Sequence, residues 1–111
     1  MSRGWHGVDL DGTLAEYNGW KGMEHIGEPI PKMLERVKKW IEGGEQVKIF
    51  TARVSVPYPE PIIKVIEDWC VKHIGQKLEV TNKKDFSMWD CWDDRAVQII
   101  KNTGERVDGN Q

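Results

Sequence analysis

The stretch VDLDGT, residues 8–13, places two carboxylates, Asp9 and Asp11, one residue apart after a short apolar lead-in. If residues 5–9 form a strand, Asp9 lies at its carboxyl end, and Gly12 lets the backbone turn away. Open α/β sheets bind their ligands at that edge. Two carboxylates this close favour a cation between them, and Mg²⁺ prefers such oxygen ligands. Because Asp-Gly is also a common turn dipeptide, an ordinary acidic turn is the alternative at this point.

Helices and strands alternate along the rest of the chain. The spacing of apolar residues predicts helices over residues 29–42 and 62–74 and strands over residues 46–51, 78–81 and 88–92. Residues 96–100 fit either a strand or one helical turn. A strand, a crossover helix and a second strand form a right-handed parallel unit. We therefore expect the carboxyl ends of the strands to meet at one edge of a parallel sheet.

The composition indicates one compact domain spanning residues 1–111, with 39% hydrophobic and 31% charged residues. A net charge of −2 excludes a global basic field for nucleic acid but not a local basic groove. Cys70 and Cys91 form no disulfide framework, and Cys70 is expected to be a buried structural thiol. The absence of a membrane-length apolar run and of a signal-peptide pattern predicts a cytoplasmic protein without a membrane partner. Five of the six tryptophans are expected in the core, the exception being Trp20 in a glycine-rich loop.

The predicted strands end in residues that are able to hold a metal ion and a phosphoryl group. In chain order these are Asp9 and Asp11, Thr51, Lys84, and Asp93 with Asp94. Each of these residues alone is unspecific, since single charged pairs are usually solvated surface. Carboxylates, a hydroxyl and an ammonium group at successive strand ends together indicate a phosphate and metal site.

Residues 14–28 form a glycine-containing segment without helical or strand periodicity, directly after the first carboxylate pair. Such a loop is well placed to act as a short flap over a site, and it presents Tyr17, Trp20, Lys21 and His25. The alternative is a loop that only packs on the edge of the sheet.

These motifs resemble those of the haloacid dehalogenase-like superfamily of phosphohydrolases, in a small type without a cap domain. The segment from Asp9 to Thr13 matches the first motif of that family, and the strand ending in Thr51 matches the second. Lys84, or its neighbour Lys83, fits the third motif, and residues 92–96 resemble the acidic fourth motif. The resemblance implies a Rossmann-like three-layer α/β/α sandwich with a mostly parallel central sheet.

The resemblance also implies a Mg²⁺-dependent phosphomonoester hydrolase that acts through an aspartyl-phosphate. Asp9 would be the nucleophile and Asp11 the general acid and base, while Thr51 and Lys84 would stabilise the transferring oxygens. The metal would be held by the Asp9 carboxylate, the Asp11 backbone carbonyl and Asp93, with Asp94 contacting it directly or through water. The expected substrate-binding residues are Gly12, Thr13, Trp20, Ala52, Arg53 and Arg95.

The short connections between the motifs predict an open site that residues 14–28 or a second subunit of a homo-oligomer would complete. The partner is then a phosphorylated substrate, either a small molecule or the 3′ end of a nucleic acid as in polynucleotide 3′-phosphatases. In that case Arg53 and Arg95 would contact phosphates, whereas the alternative is that both are salt-bridged surface. A non-catalytic module that binds metal and phosphate is the further possibility.

Overall fold

The computed structural model describes residues 4–110, which form an α/β fold around a four-stranded parallel sheet. In chain order the elements are β1 (Trp5–Val8), α1 (Pro31–Glu42), β2 (Gln46–Phe50), a 3-10 turn (Ala52–Val54), α2 (Glu60–Ile74), β3 (Glu79–Thr81) and β4 (Met88–Trp92). The strand order is β3-β2-β1-β4, and every neighbouring pair is parallel. The predicted Rossmann-like α/β arrangement is confirmed.

The ends of the elements follow the predicted signals closely. Helix α1 has Pro31 in its first turn, where a missing N–H costs nothing, and ends at Gly43. Helix α2 ends at Gly75, whose φ of 101° favours glycine. Residues 96–100 form neither of the two elements considered for them and contribute a single bridge between Ile99 and Arg106. Within the described part of the chain, neither helix has the length and apolarity needed to cross a membrane.

Both helices pack on one face of the sheet. The two crossovers run in the same direction, from β1 to β2 to β3, so right-handed connections place both helices on the same side. The core there joins strand residues Val8 and Ile49 with Val37 of α1 and Ile66 of α2. The return from β3 to β4 uses only residues 82–87, too few for a crossover helix. Among residues 4–110, the opposite face of the predicted sandwich therefore has no helical layer.

Trp5 covers part of that opposite face. It is 1% exposed, and its indole Nε1 donates to Asp85 at 2.9 Å. The Lys48 ammonium lies 4.5 Å from the ring centroid, and the Phe50 ring meets it edge-on at 6.4 Å. The contacts with Asp85 and Lys48 tie the beginning of β4 and strand β2 to β1.

The expected burial is correct for four of the five tryptophans and wrong for Trp89. The side chains of Trp5 and Trp69 are buried, and Trp40 and Trp92 pack against the core, whereas Trp89 is 55% exposed. The pairing of β1 with β4 shifts register at this position, between the Trp5–Met88 and His6–Asp90 pairs, and this shift interrupts the in-and-out alternation of side chains in β4. Cys70 is fully buried as expected, and burial raises the pKa of its thiol to about 11.

A polar cluster around the buried ring of His6 lies at the amino end of the sheet, away from Asp9. His6 is 6% exposed, and its Nδ1 and Nε2 lie 2.8 Å and 2.7 Å from carboxylate oxygens of Asp90 and Glu45. The Trp40 ring stacks on the imidazole at 3.9 Å. This cluster joins β1, β4, α1 and the residue before β2, and nothing in the sequence pattern predicted it.

Candidate functional site

Three carboxylates converge at the carboxyl edge of the two adjacent strands β1 and β4. Asp9 follows β1, and Asp93 and Asp94 follow β4. The Asp9 amide donates to the Trp92 carbonyl at 2.9 Å, which extends the ladder to the strand ends and aligns these residues. One carboxylate oxygen from each of the three lies within 4.8 Å of the other two.

The turn after β1 fixes the position of Asp94. Gly12 has a φ of +86°, and a Cβ atom there would lie 2.7 Å from Oδ2 of Asp94, so both the turn and the close approach require glycine. The Thr13 hydroxyl donates to Oδ1 of Asp94 at 3.3 Å and accepts from its amide at 3.0 Å. Gly12 and Thr13, which are predicted to bind substrate, thus lie next to a carboxylate of the site.

The three carboxylates perturb one another. The pKa of Asp9 is raised from 3.8 to about 7, first by burial and then by the neighbouring negative charge of Asp93, with a further contribution from Asp94. A divalent cation would offset this repulsion, and three clustered carboxylates are the hard oxygen donors that Mg²⁺ requires. The donor set of Asp9, Asp93 and Asp94 therefore fits the expected ion.

The carboxylate of Asp11 lies outside this group, on the side chain of Arg53. Arg53 donates from Nε to Oδ2 at 2.7 Å and from Nη2 to Oδ1 at 2.8 Å. A guanidinium fork of this kind uses both carboxylate oxygens as acceptors, whereas a general acid must carry a proton on one of them. In this structure both carboxylate oxygens of Asp11 are therefore occupied by Arg53, and neither faces the group of three carboxylates.

Arg53 also fastens the flap, residues 14–28, to the sheet edge. Its Nη2 donates to the His25 carbonyl at 2.9 Å, and its Nη1 donates to the Met23 carbonyl at 3.4 Å. The guanidinium carbon lies 4.8 Å from the centroid of the Trp20 ring. The Arg53 side chain is 6% exposed, so its position matches the salt-bridged alternative considered for it, although the salt bridge is buried rather than at the surface.

The base of the flap is closed by backbone pairing. Isolated bridges join Ala15 to Asp11 and to Pro29, and the Glu16 amide donates to the Glu28 carbonyl at 2.9 Å. The indole of Trp69 in α2 donates to the Gly27 carbonyl at 3.1 Å. The two ends of the flap are therefore fixed, while residues 16–21 at its tip are exposed.

Two adjoining cavities meet at Asp9, Thr51, Ala52 and Arg95. The first, here called the Asn82 arm, has a volume of about 460 Å³ and is further lined by Phe50, Ser55, Asn82, Asp93 and Ala96. The second, here called the Trp20 arm, has a volume of about 350 Å³ and is further lined by Asp11, Tyr17, Trp20, Arg53 and Asp94. A group bound at Asp9 would thus have an opening on either side.

The remaining predicted residues divide between these cavities and the surface. Thr51 is buried, and its hydroxyl accepts from the Arg53 amide at 3.1 Å. Lys83 and Lys84 are both exposed, and neither is among the residues that line the two arms. The positive charge of Lys84 instead acts on Cys91, where it opposes a pKa rise caused mainly by burial and acidic neighbours.

Sequence reasoning missed Ser55 and Asn82, whose side chains join through a hydrogen bond of 2.8 Å from the amide of Asn82 to the hydroxyl of Ser55. Asn82 directly follows β3, as Thr51 follows β2. The strand-end rule that selected Thr51 also applies to Asn82 and was the available signal.

Comparisons with known proteins show a shared fold. No family model matches the chain, and no curated protein matches it. Among solved structures, the chain is similar to one described as a conserved protein coded by a locus of Bacteroides thetaiotaomicron. The two share 24% sequence identity with a TM-score of 0.59, over 85% of this chain and 78% of the other. At this level of identity the likeness is one of fold, and it supports the Rossmann-like α/β arrangement described above.

Proposed function

We propose that this protein is a Mg²⁺-dependent phosphomonoester hydrolase of the haloacid dehalogenase-like type. The observation that carries the proposal is the convergence of Asp9, Asp93 and Asp94 at the ends of two adjacent parallel strands. They stand beside a buried Thr51 at the junction of two open cavities. Neighbouring residues would thus supply both the ligands for the ion and the space for a phosphate.

In this proposal the carboxylates of Asp9, Asp93 and Asp94 hold the ion. The ion would screen the charge between the Asp9 carboxylate and the phosphate dianion, which otherwise repel each other. Asp94 reaches this position because the Thr13 hydroxyl bonds to it and Gly12 leaves room for its carboxylate. Asp11 would contribute only its backbone carbonyl, since its carboxylate is occupied by Arg53.

Asp9 would attack phosphorus, forming a new P–O bond as the bond to the leaving alcohol oxygen breaks and that oxygen takes up a proton. Water would then release inorganic phosphate from the aspartyl-phosphate. Asp11 can supply and recover the proton only after Arg53 gives up its carboxylate. The dianionic phosphate of the substrate competes for the same guanidinium fork, because Arg binds both groups in a bidentate manner.

The test is phosphate release from p-nitrophenyl phosphate by the wild-type protein and matched carboxylate variants. We expect Mg²⁺-dependent turnover that falls by roughly a thousandfold or more in Asp9→Asn, because a nucleophile cannot be replaced by an amide. Asp93→Asn is expected to raise the Mg²⁺ concentration needed for activity. Asp68→Asn, which removes an exposed carboxylate of α2, should retain full turnover. Full activity of Asp9→Asn would reject the proposal.

A metal- and phosphate-binding module without turnover is the second candidate. It is favoured by the pairing of Asp11 with Arg53 and by the exposed position of Lys84 outside both arms. Calorimetric titration with Mg²⁺ and beryllium fluoride, beside the turnover assay, separates the two candidates. Tight binding of both without measurable hydrolysis would favour the module.

A further inference from the structure

We infer that the Trp20 arm is a binding subsite for a planar ring, so that the substrate is a ring-bearing phosphomonoester such as a nucleoside 5′-monophosphate. The inference rests on the proposed function and specifies the substrate class of the same site. It is carried by the position of Asp11, by the arrangement of two exposed aromatic side chains and by the charges around them.

Asp11 indicates which arm receives the organic part of the substrate. The oxygen that Asp11 is proposed to protonate belongs to the leaving alcohol, so that alcohol must lie within reach of Asp11. Asp11 lines the Trp20 arm and is not among the residues that line the Asn82 arm. A phosphate placed at Asp9 therefore directs its organic group towards the flap.

The side chains of the Trp20 arm are suited to a flat, apolar group. Trp20 and Tyr17 are 57% and 48% exposed, although both line the same cavity. One side of the Trp20 ring rests near the guanidinium of Arg53, which itself is fixed by Asp11 and by two flap carbonyls. A ring positioned in this way can stack against another flat ring, and every nucleobase has a flat face suited to such stacking.

The charges of the arm favour a monophosphate over a polyanion. Three carboxylates, those of Asp9, Asp11 and Asp94, border it and outnumber its two guanidinium groups, those of Arg53 and Arg95. An oligonucleotide or a nucleoside triphosphate would bring further phosphates next to these carboxylates. A neutral sugar with a base brings none, and at about 350 Å³ the cavity falls in the range of small-ligand sites.

The experiment compares AMP with ribose 5-phosphate, which have the same phosphate and the same primary alcohol as leaving group. We expect kcat/KM for AMP to exceed that for ribose 5-phosphate by about tenfold or more in the wild-type protein. Trp20→Ala should bring this ratio close to one, because kcat/KM for AMP should fall much more than that for ribose 5-phosphate, and Trp20→Phe should preserve most of the preference. Phe86→Ala, which removes an exposed aromatic ring outside both arms, should leave the ratio unchanged.

A binding measurement separates failure of the subsite from failure of the proposed function. In Asp9→Asn with Mg²⁺, calorimetry should show tighter binding of AMP than of ribose 5-phosphate, and Trp20→Ala in that background should abolish the difference. Such a result without wild-type turnover would support the subsite and overturn the hydrolase. Hydrolysis of both compounds with equal efficiency, or a preference for AMP that survives Trp20→Ala, would overturn the subsite alone. Failure of AMP both to bind and to react would overturn it as well.

Discussion

The carboxylate of Asp9 faces two other carboxylates, whereas that of Asp11 faces a guanidinium. Burial and the charge of Asp93 raise the pKa of Asp9 to about 7, which means that the metal-free folded protein binds a proton there far more tightly than an unfolded chain does. The repulsion between the clustered carboxylates therefore appears as a raised pKa of Asp9. Asp9 and Asp11, two carboxylates separated by one residue, therefore lie in opposite electrostatic surroundings.

The raised pKa of Asp9 predicts a specific pH dependence of stability in the presence of EDTA. Because the folded pKa lies above the unfolded value of 3.8, the contribution of Asp9 is fully present below about pH 4 and is lost as the pH rises through about 7. Asp9→Asn removes this loss, so its stability relative to the wild type should rise by about 1 kcal/mol between pH 5 and pH 8. We expect this small value because Asp9 is only partly buried and solvent screens its charge. Urea unfolding at the two pH values measures it, and a constant difference would contradict the assignment.

At the scale of elements, Arg53 connects the turn after β2 to the flap. It is placed by the 3-10 turn that begins after Thr51, and it meets Asp11 from the turn after β1 and two carbonyls of the flap. The tip of the flap has no packed core of its own, since residues 16–21 are exposed. Beyond the fixed flap base, the described contacts that hold this segment to the sheet edge come from Arg53, which is distant in the sequence.

We accordingly expect Arg53→Ala to release the flap. Amide hydrogen exchange over residues 17–25 should become faster, because the carbonyls of Met23 and His25 would lose the guanidinium that ties them to the sheet edge. The loss of one partner from a largely buried ion pair should also lower the free energy of unfolding by about 2 kcal/mol. Arg53→Lys keeps the charge but not the fork, so its effect should be intermediate.

Arg36→Ala is the matched control, because this arginine of α1 stacks over Trp92 and has no contact with the flap among those described. Its exchange rates over residues 17–25 should equal those of the wild type. Equal protection of the flap in Arg53→Ala would show that the flap base suffices to order it.

The elements themselves were predictable because each depends on local signals. The three- and four-residue spacing of α1 and α2, and the glycines that end them, lie within each segment, and so does the strand end at Asp9. The pairing of Arg53 with Asp11 joins residues 42 positions apart, and no periodicity encodes it. The exposure of Trp89 depends on a bulge in the pairing with β1, which a single strand does not reveal.

At the scale of the whole molecule, the sheet has two polar ends with different tasks. The three carboxylates of Asp9, Asp93 and Asp94 lie at the carboxyl end. The cluster of His6 with Asp90 and Glu45 lies at the amino end. The first holds carboxylates that repel one another, whereas in the second both ring nitrogens of one imidazole lie within hydrogen-bond distance of carboxylate oxygens. We regard the amino end as the stable anchor of β1, β4 and α1, which leaves the other end available for binding.

Replacing His6 by Gln should therefore lower global stability without altering Mg²⁺ binding. The change removes the stacking on Trp40 and leaves two carboxylates on either side of β1 with poorer partners. We expect a loss of about 2 kcal/mol in urea unfolding, since the change removes a buried ring together with two side-chain hydrogen bonds. His73→Gln, at the end of α2, should cost much less, as its ring contacts Trp69 at a tilted angle without a described carboxylate partner. A similar loss in both variants would contradict a special role for the amino end.

Cation binding at the opposite end should raise the stability of the whole fold, because its ligands come from two adjacent strands that separate on unfolding. An ion that binds only the folded chain adds about 2.7 kcal/mol at a hundredfold excess over its Kd. For a domain of this size, that corresponds to a rise in Tm of about ten degrees. The rise should be larger above pH 7, where a proton no longer competes with the ion for the Asp9 carboxylate. Asp93→Asn should reduce the rise strongly, because it removes one of three clustered ligands, while Asp68→Asn on α2 should leave it intact. Thermal unfolding with EDTA or Mg²⁺ measures the effect. Equal stabilisation of Asp93→Asn and the wild type would place the ion elsewhere, and no stabilisation of either would remove the metal from the proposed chemistry.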